Sequence, residues 1–412
     1  MAEAARLGLE SVRAQPARSA LAIVGVVIGI VTVVLVASVL VGLRNSVALL
    51  FRELGTENVF AFHRNGDPYN PSSDADADRR PLLPEFGADI VRLGSSVREV
   101  GAQLIVPVVT GARTLSARAG TNESDTILVE GVTPNFFDVT EADFASGRPF
   151  TPREGRVAAP VAGIGANVAR ALFGAGDAVG RTFLVAGERY TVVGQLAPRR
   201  GTFFGENRND NVVSLPLRTA RRRFPDADET VLYIRAKPGQ RERAREETEF
   251  ILRLLRHVRA DAPSDFTVST SDQIIAQFDR IGGQIFVVTL ALSAVSLLVG
   301  AIGIANVMVM SVTERTREIG LRLAIGARRT DILRQFLFEA AMLSGTGGVV
   351  GVLLASGIGL LAARVAPVFP AVPPGWAVGS GLGVSVAVGV LAGYLPARRA
   401  AALDPVEALR YE

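Results

Sequence analysis

Residues 19–43 (SALAIVGVVIGIVTVVLVASVLVGL) run for some 25 positions without a charged side chain. A helix of that length spans a hydrocarbon core of ~30 Å. Three further apolar runs follow, at Gln284–Met310, Phe336–Val365 and Trp376–Leu395. A bilayer offers no water to satisfy backbone groups, so each run is expected as a transmembrane helix. A secretory signal peptide is the rival for the first run. Its apolar core would extend only ~7–15 residues, so an uncleaved helix is expected.

The 412-residue chain is 49% hydrophobic and 20% charged, with its apolar residues clumped as in a membrane protein. A net charge of +4 and a pI near 9.9 raise the question of nucleic acid. The arginines gather beside apolar runs, however, where the positive-inside rule accounts for them. Arg6, Arg13 and Arg18 precede the first run, and Arg398, Arg399 and Arg410 follow the last. Arg315, Arg317, Arg322, Arg328, Arg329 and Arg334 crowd the 311–334 segment, whereas the link 366–375 holds no Lys or Arg.

Four spans with both termini in the cytoplasm fit that pattern, and long translocated domains are exempt from it. The expected division is then as follows. Residues 1–18 form an amphipathic cytoplasmic segment, and 19–43, 284–310, 336–365 and 376–395 form the membrane helices. Residues 44–283 form an extracytoplasmic domain, 311–335 a cytoplasmic segment, 366–375 a short outer link and 396–412 a cytoplasmic tail.

The outer domain reads as α+β. Short segments rich in Val, Ile and Thr and bounded by Gly, Pro or Asn predict strands. They lie at Asn58–Phe62, Gln103–Val109, Thr126–Gly131, Val157–Ile164, Thr182–Val185, Tyr190–Leu196, Val212–Leu215 and Thr230–Ala236. Helices are predicted at Glu85–Leu93, Ala166–Phe173, Leu217–Phe224 and Gln240–Val258. The polar stretches Gly66–Arg80 and Arg199–Asn211 read as loops. Apolar stripes at Leu43, Val47, Leu50 and Leu54, and at Ile274, Phe278, Ile281 and Ile285, have two readings: a stalk of extended membrane helices, or core packing of the outer domain.

Catalytic chemistry finds little footing here. Without cysteine there is no disulfide, thiolate metal site or cysteine nucleophile. No Walker A, HExxH or GxSxG pattern occurs, so neither a P-loop nor a cofactor site is expected. His63 and His257 are the only histidines and read as surface or packing residues. Arg218–Arg223 (RTARRR) lacks interleaved aromatics and reads as a solvated helix face, not a nucleic-acid site. Glu339 is the one acid near hydrocarbon, either functional or snorkelling to the interface. Gly25 with Gly29, Gly347 with Gly351, Gly379 with Gly383 and Gly389 with Gly393 are candidate helix-packing pairs, a weak signal among 42 glycines.

The segment Ser311–Ala340 (SVTERTREIGLRLAIGARRTDILRQFLFEA) is charged and lies between two apolar runs. Glu314 with Arg317 and Glu318 with Arg322 stand at helical spacing, and Ile319 with Leu323 gives an apolar strip. Gly326 breaks the pattern, and Thr330–Asp331 signals the N-cap of a second helix. An amphipathic helix that exchanges force with a soluble partner and an ordinary cytoplasmic loop both fit the spacing.

These residues carry a resemblance. The chain resembles the MacB/FtsX-type permease subunits of ABC transporters, the mechanotransmission or type VII superfamily. The segments involved are ARSALAIVGVVIGI (Ala17–Ile30), ILVEGVTPNFFDV (Ile127–Val139), SGRPFT (Ser146–Thr151), LFGAGDAVGRTFLVAGERYTVVGQL (Leu172–Leu196), ERTREIGLRLAIGARRTDILRQFLFEA (Glu314–Ala340) and PARRAAALDPVEALRYE (Pro396–Glu412). The resemblance implies four membrane helices and an outer domain with a porter-like and a second β-rich subdomain.

It also implies a pair of permeases in the bacterial inner membrane resting on ABC ATPase subunits, whose closure is relayed outward. By motif, Glu314, Arg315, Arg317, Glu318, Ile319, Gly320, Arg322, Ala324, Gly326 and Ala327 would dock on the ATPase. The namesake exporter carries its ATPase on the same chain; this sequence holds none, so a separate ATPase is expected and a macrolide substrate is not implied. Export with a periplasmic adaptor, lipoprotein release and a signal relay to a periplasmic hydrolase or sensor are the competing functions. Membrane lipid is an expected partner in each case, and nucleic acid in none.

Overall fold

The structure, a computed structural model, describes residues 16–55, 57–63, 79–107, 109–110, 113–198, 208–365 and 373–409. The expected N-terminal segment before Pro16, most of the two expected outer loops and most of the proline-containing link lie outside these residues. Two units make up the chain, residues 44–279 and residues 1–43 with 280–412.

The second of these units holds the apolar helices. α1 (Pro16–Glu53, 38 residues) and α8 (Ser271–Glu314, 44 residues) each run beyond their apolar stretches and cross the division between units. α10 (Arg329–Val365) and α11 (Gly375–Ala401) complete, among the described residues, four helices long and apolar enough to span a membrane. Bare glycine surfaces let the helices approach. A methyl group at Gly25 would lie 2.8 Å from the Cα of Gly300, so α1 and α8 touch backbone to backbone. Gly347 and Gly351 of α10 meet Val26 and Ile30 of α1, and Gly389 and Gly393 of α11 meet Ser344 and Ala340 of α10. Gly379 and Gly383 face open space and pack no helix among the described residues. Val26, Ile30, Ile304, Met308 and Phe336 fill the shared core. Val287, Leu292, Val295 and Leu298 of α8 stay exposed, as suits a face turned to lipid.

The other unit is built on one twelve-stranded sheet. Its path starts with β14 (Thr267–Thr270), β1 (Asn58–Phe62), β13 (Glu229–Ala236), β2 (Val97–Ile105) and β7 (Leu128–Val132). It continues through β12 (Val212–Pro216), β9 (Val161–Ile164), β11 (Glu188–Leu196), β10 (Thr182–Val185), β5 (Ala117–Ala119) and β6 (Asn122–Ser124), while β8 (Phe144–Gly147) joins at β11. β3 (Val109–Thr110) and β4 (Arg113–Thr114) pair apart from it. Pairing is antiparallel except at β7–β12 and β9–β11.

Each half of the sheet has its own helices. α2 (Phe86–Leu93) and α7 (Arg241–Leu255) cover the β1, β2 and β13 end, closing a core of Val59, Ile90, Leu232 and Leu252. α5 (Ala166–Phe173) and α6 (Leu217–Arg223) cover the other end over Ile164, Leu172, Phe183 and Leu215. A third cluster, rich in Phe, includes Phe60, Phe136, Phe137 and Phe150 and rests on α3 (Phe136–Val139). Phe51, Leu54 and Ile274 pack against it, so that part of the two apolar stripes serves the outer core. Ile281 and Ile285 are half-exposed and do not.

Several predicted boundaries move. β2 begins at Val97 and not at Gln103, because β13 pairs with it along its polar start, Arg235 opposite Glu99. β9 begins only at Val161. Residues 157–160 form a turn after α4 (Pro152–Arg156), whose cap Thr151 accepts from the backbone of Glu154 while the Glu154 carboxylate accepts from the backbone of Thr151. The SGRPFT motif therefore ends in a helix cap. Arg148 adds two hydrogen bonds of 2.9 and 2.8 Å to the same carboxylate. That grip, more than the Thr151 bonds, lowers the Glu154 pKa to about 2. The arginines of α6 reach neighbours: Arg221 pairs with Glu85 at 2.9 Å, Arg218 donates to the Arg156 carbonyl, and Arg223 donates to that of Ala186.

Candidate functional site

The segment after α8 turns through a bend, a short helix and a tight turn. α8 ends at Glu314, and α9 (Thr316–Ala324) follows after Arg315. At the bend the Thr316 hydroxyl donates to the carbonyls of Val312 and Thr313, at 3.0 and 2.9 Å. A hydroxyl inserted this way bends a helix without leaving the carbonyl unpaired. α9 closes at Gly326, where φ is +102°. The Gly326 amide donates to Leu323 and the Ala327 amide to Arg322, at 3.1 and 3.0 Å. This is a Schellman ending, and glycine takes the left-handed position at no steric cost. α10 then starts at Arg329, earlier than the Thr330–Asp331 signal suggests, because the Arg328 carbonyl already accepts from Asp331 at 2.9 Å.

α9 has an inner and an outer face. On the inner face, Ile319 is buried and Gly320 sits against α12 (Pro405–Leu409). A methyl group at Gly320 would lie 2.6 Å from the Cβ of Ala408. α12 is itself set by sequence: Asp404 caps it through the Val406 amide at 2.8 Å, and Pro405 stands at its first position. The outer face carries Glu314, Arg317, Glu318, Leu321, Ala324 and Ile325, all exposed, with Gly326 at its end. Leu321 is 54% exposed and Ile325 78%, two apolar side chains one helical turn apart on this face.

Of the ten residues predicted to dock, Gly320 therefore faces the chain's own tail helix, Ile319 is buried in the core, and Arg315, Arg322 and Ala327 are half-buried. Leu321 and Ile325 were missed, although both continue the spacing of Glu314, Arg317 and Glu318.

Polar contacts bind α9 to α10. Arg322 pairs with Glu318 and donates to the Gln335 side-chain carbonyl at 2.7 Å. Gln335 donates to Glu339 at 3.3 Å, and Arg315 approaches the same carboxylate at 3.5 Å. Glu339 is only 4% exposed, so it does not snorkel.

Residues 19–249, over half of the chain, match the family described as MacB-like periplasmic core domain. The chain belongs to the MacB/FtsX family of ABC transporter permeases. Residues 290–405 of the permease match the FtsX-like permease C-terminal family, a range that contains α9 and α10. The macrolide export ATP-binding/permease protein MacB 2 of Aeromonas hydrophila subsp. hydrophila is 33% identical over 415 residues, covering 100% of this chain and 61% of that one. The pyoverdine export ATP-binding/permease protein PvdT of Pseudomonas aeruginosa is 32% identical, over 95% of this chain and 56% of that one. The permease thus spans about three fifths of the length of these relatives. It is a membrane protein with four apolar helices and a large extracytoplasmic α+β domain.

Proposed function

We propose that the permease converts ATP hydrolysis into movement of its extracytoplasmic sheet domain, and that this movement drives export of a substrate. The ATPase lies outside these 412 residues and docks on the outer face of α9. The observation that carries this reading is the division of α9 into two faces. Its inner face is committed to α10 and α12, while Leu321 and Ile325, rimmed by Glu314, Arg317 and Glu318, are left uncovered. An apolar centre with a charged rim is the anatomy of a protein interface. Within this reading Ile319 and Gly320 seat the helix, and the exposed residues make the contact.

The named activities of the relatives, macrolide and pyoverdine export, favour export over signal relay or lipoprotein release. Arginine crowding around α9 supports a cytoplasmic position for it, with both termini on that side of the bacterial inner membrane. A second permease protomer and a periplasmic adaptor complete the proposed assembly.

Replacing Leu321 and Ile325 together by Asp tests the docking face. The variant is expected to insert and remain folded but to lose co-purification of the ATPase and ATP-driven export. Retention of both would refute the reading.

A further inference from the structure

We infer that Glu339 is a positioning residue that locks α9 to α10, making the two helices one lever so that force applied to α9 is delivered to α10. The inference rests on buried geometry. α9 and α10 are joined through the Gly326 turn, and side chains from both ends of α9 reach α10. Arg315, at the start, reaches Glu339; Arg322, in the last turn, reaches Gln335. Gln335 and Glu339 stand one turn apart on α10 and are joined to each other. The chain of contacts therefore runs Arg315, Glu339, Gln335, Arg322, Glu318, passing through the buried Glu339 and ending at the exposed face of α9.

A carboxylate taken out of water is costly unless it is paired and hydrogen-bonded. Glu339 meets that condition only while α9 stays in place, because the arginine that pairs with it belongs to the bend before α9. Moving α9 away from α10 would strand a buried charge. At the join with α8, the Thr316 hydroxyl keeps the bend satisfied at the carbonyls of Val312 and Thr313. Toward α10, α9 is held by side chains at two points, Arg315 on Glu339 and Arg322 on Gln335.

The chain contains no cysteine, so spin labels can be placed on the full-length permease without background. Labels at Arg317→Cys on α9 and Arg334→Cys on α10, both exposed positions, report the spacing of the two helices in lipid nanodiscs. One narrow distance distribution is expected for the otherwise unaltered chain. Glu339→Gln, which keeps shape and loses charge, should broaden it and speed amide exchange across residues 316–324 by about tenfold.

Arg315→Gln removes the same pair from its half-buried side and should do the same if Glu339→Gln is poorly inserted. The double variant should exceed neither single one. An unchanged distribution in both single variants overturns the lock.

Delivery of force to α10 rests on the docking reading above and is tested separately. Glu339→Gln is expected to retain the ATPase yet lower coupled export about tenfold. A broadened distribution with full export overturns the delivery role while leaving docking intact. Failure of the Leu321 and Ile325 variant to release the ATPase would remove the docking reading while the measured lock stands.

Discussion

Gly320 and Ala408 meet so closely that a single added methyl group on the glycine would sit 2.6 Å from the alanine Cβ. Real side chains do not approach to that distance, so Gly320→Ala forces α12 away from α9 at about 1–3 kcal/mol. The tail after Ala401 should become sensitive to protease in detergent-solubilised permease. Ala408→Gly in the same chain should restore protection. Persistent sensitivity in the double variant would mean that something other than this contact holds the tail.

The contact of Gly25 with Gly300 makes a parallel prediction inside the bundle. Gly25→Val places bulk against the α8 backbone, where the nearest atom is 2.8 Å from the added Cβ. Thermal unfolding in detergent should fall by several degrees, about 1–3 kcal/mol of overpacking. Gly379→Ala serves as the comparison, because nothing described lies within 4 Å of its Cβ position. It should unfold with the unaltered chain.

Acid should act on the outer domain through Glu154. Its folded pKa, about 2, lies below the ordinary carboxylate value of 4.5, so folding favours the charged form. The stabilisation is complete above the ordinary value and is lost as pH falls through about 2. Glu154→Gln should cost about 1 kcal/mol at neutral pH, allowing for screening of the exposed Arg148. The difference from the unaltered chain should shrink between pH 4.5 and 2 in a pH series of unfolding curves. A difference constant across that range would exclude the pair as its source.

Sidedness is open to chemical labelling. In intact cells a membrane-impermeant maleimide should modify Leu184→Cys, an exposed position of the sheet domain, and spare Arg328→Cys between α9 and α10. Permeabilisation should expose the second. The reverse pattern would invert the proposed orientation.

Much of this architecture is legible from the chain. Apolar length marks the four long helices, and turn residues frame α5 and β10 at their observed ends. β2 is harder to place, because its polar start becomes a strand only through pairing with β13, more than a hundred residues later. The face of α9 is harder still. Periodicity offers two apolar strips, Ile319 with Leu323 and Leu321 with Ile325, and neither spacing says which is inside. Ala408 decides it, from the far end of the chain. Glu339 is the same kind of problem: local sequence shows an acid beside hydrocarbon, and only the fold brings Arg315, twenty-four residues earlier, against it.

The Thr316 bend has a mechanical consequence. Around it the backbone ladder continues, the Arg315 amide donating to Ser311 and the Ile319 amide to Arg315, at 3.2 and 3.0 Å. The Thr316 hydroxyl shadows the carbonyls nearest the bend. A change of angle there trades one acceptor for another and uncovers no bare peptide group, the step that makes flexing a helix beside hydrocarbon expensive. α8 therefore ends in a compliant joint, next to a lever that is stiff.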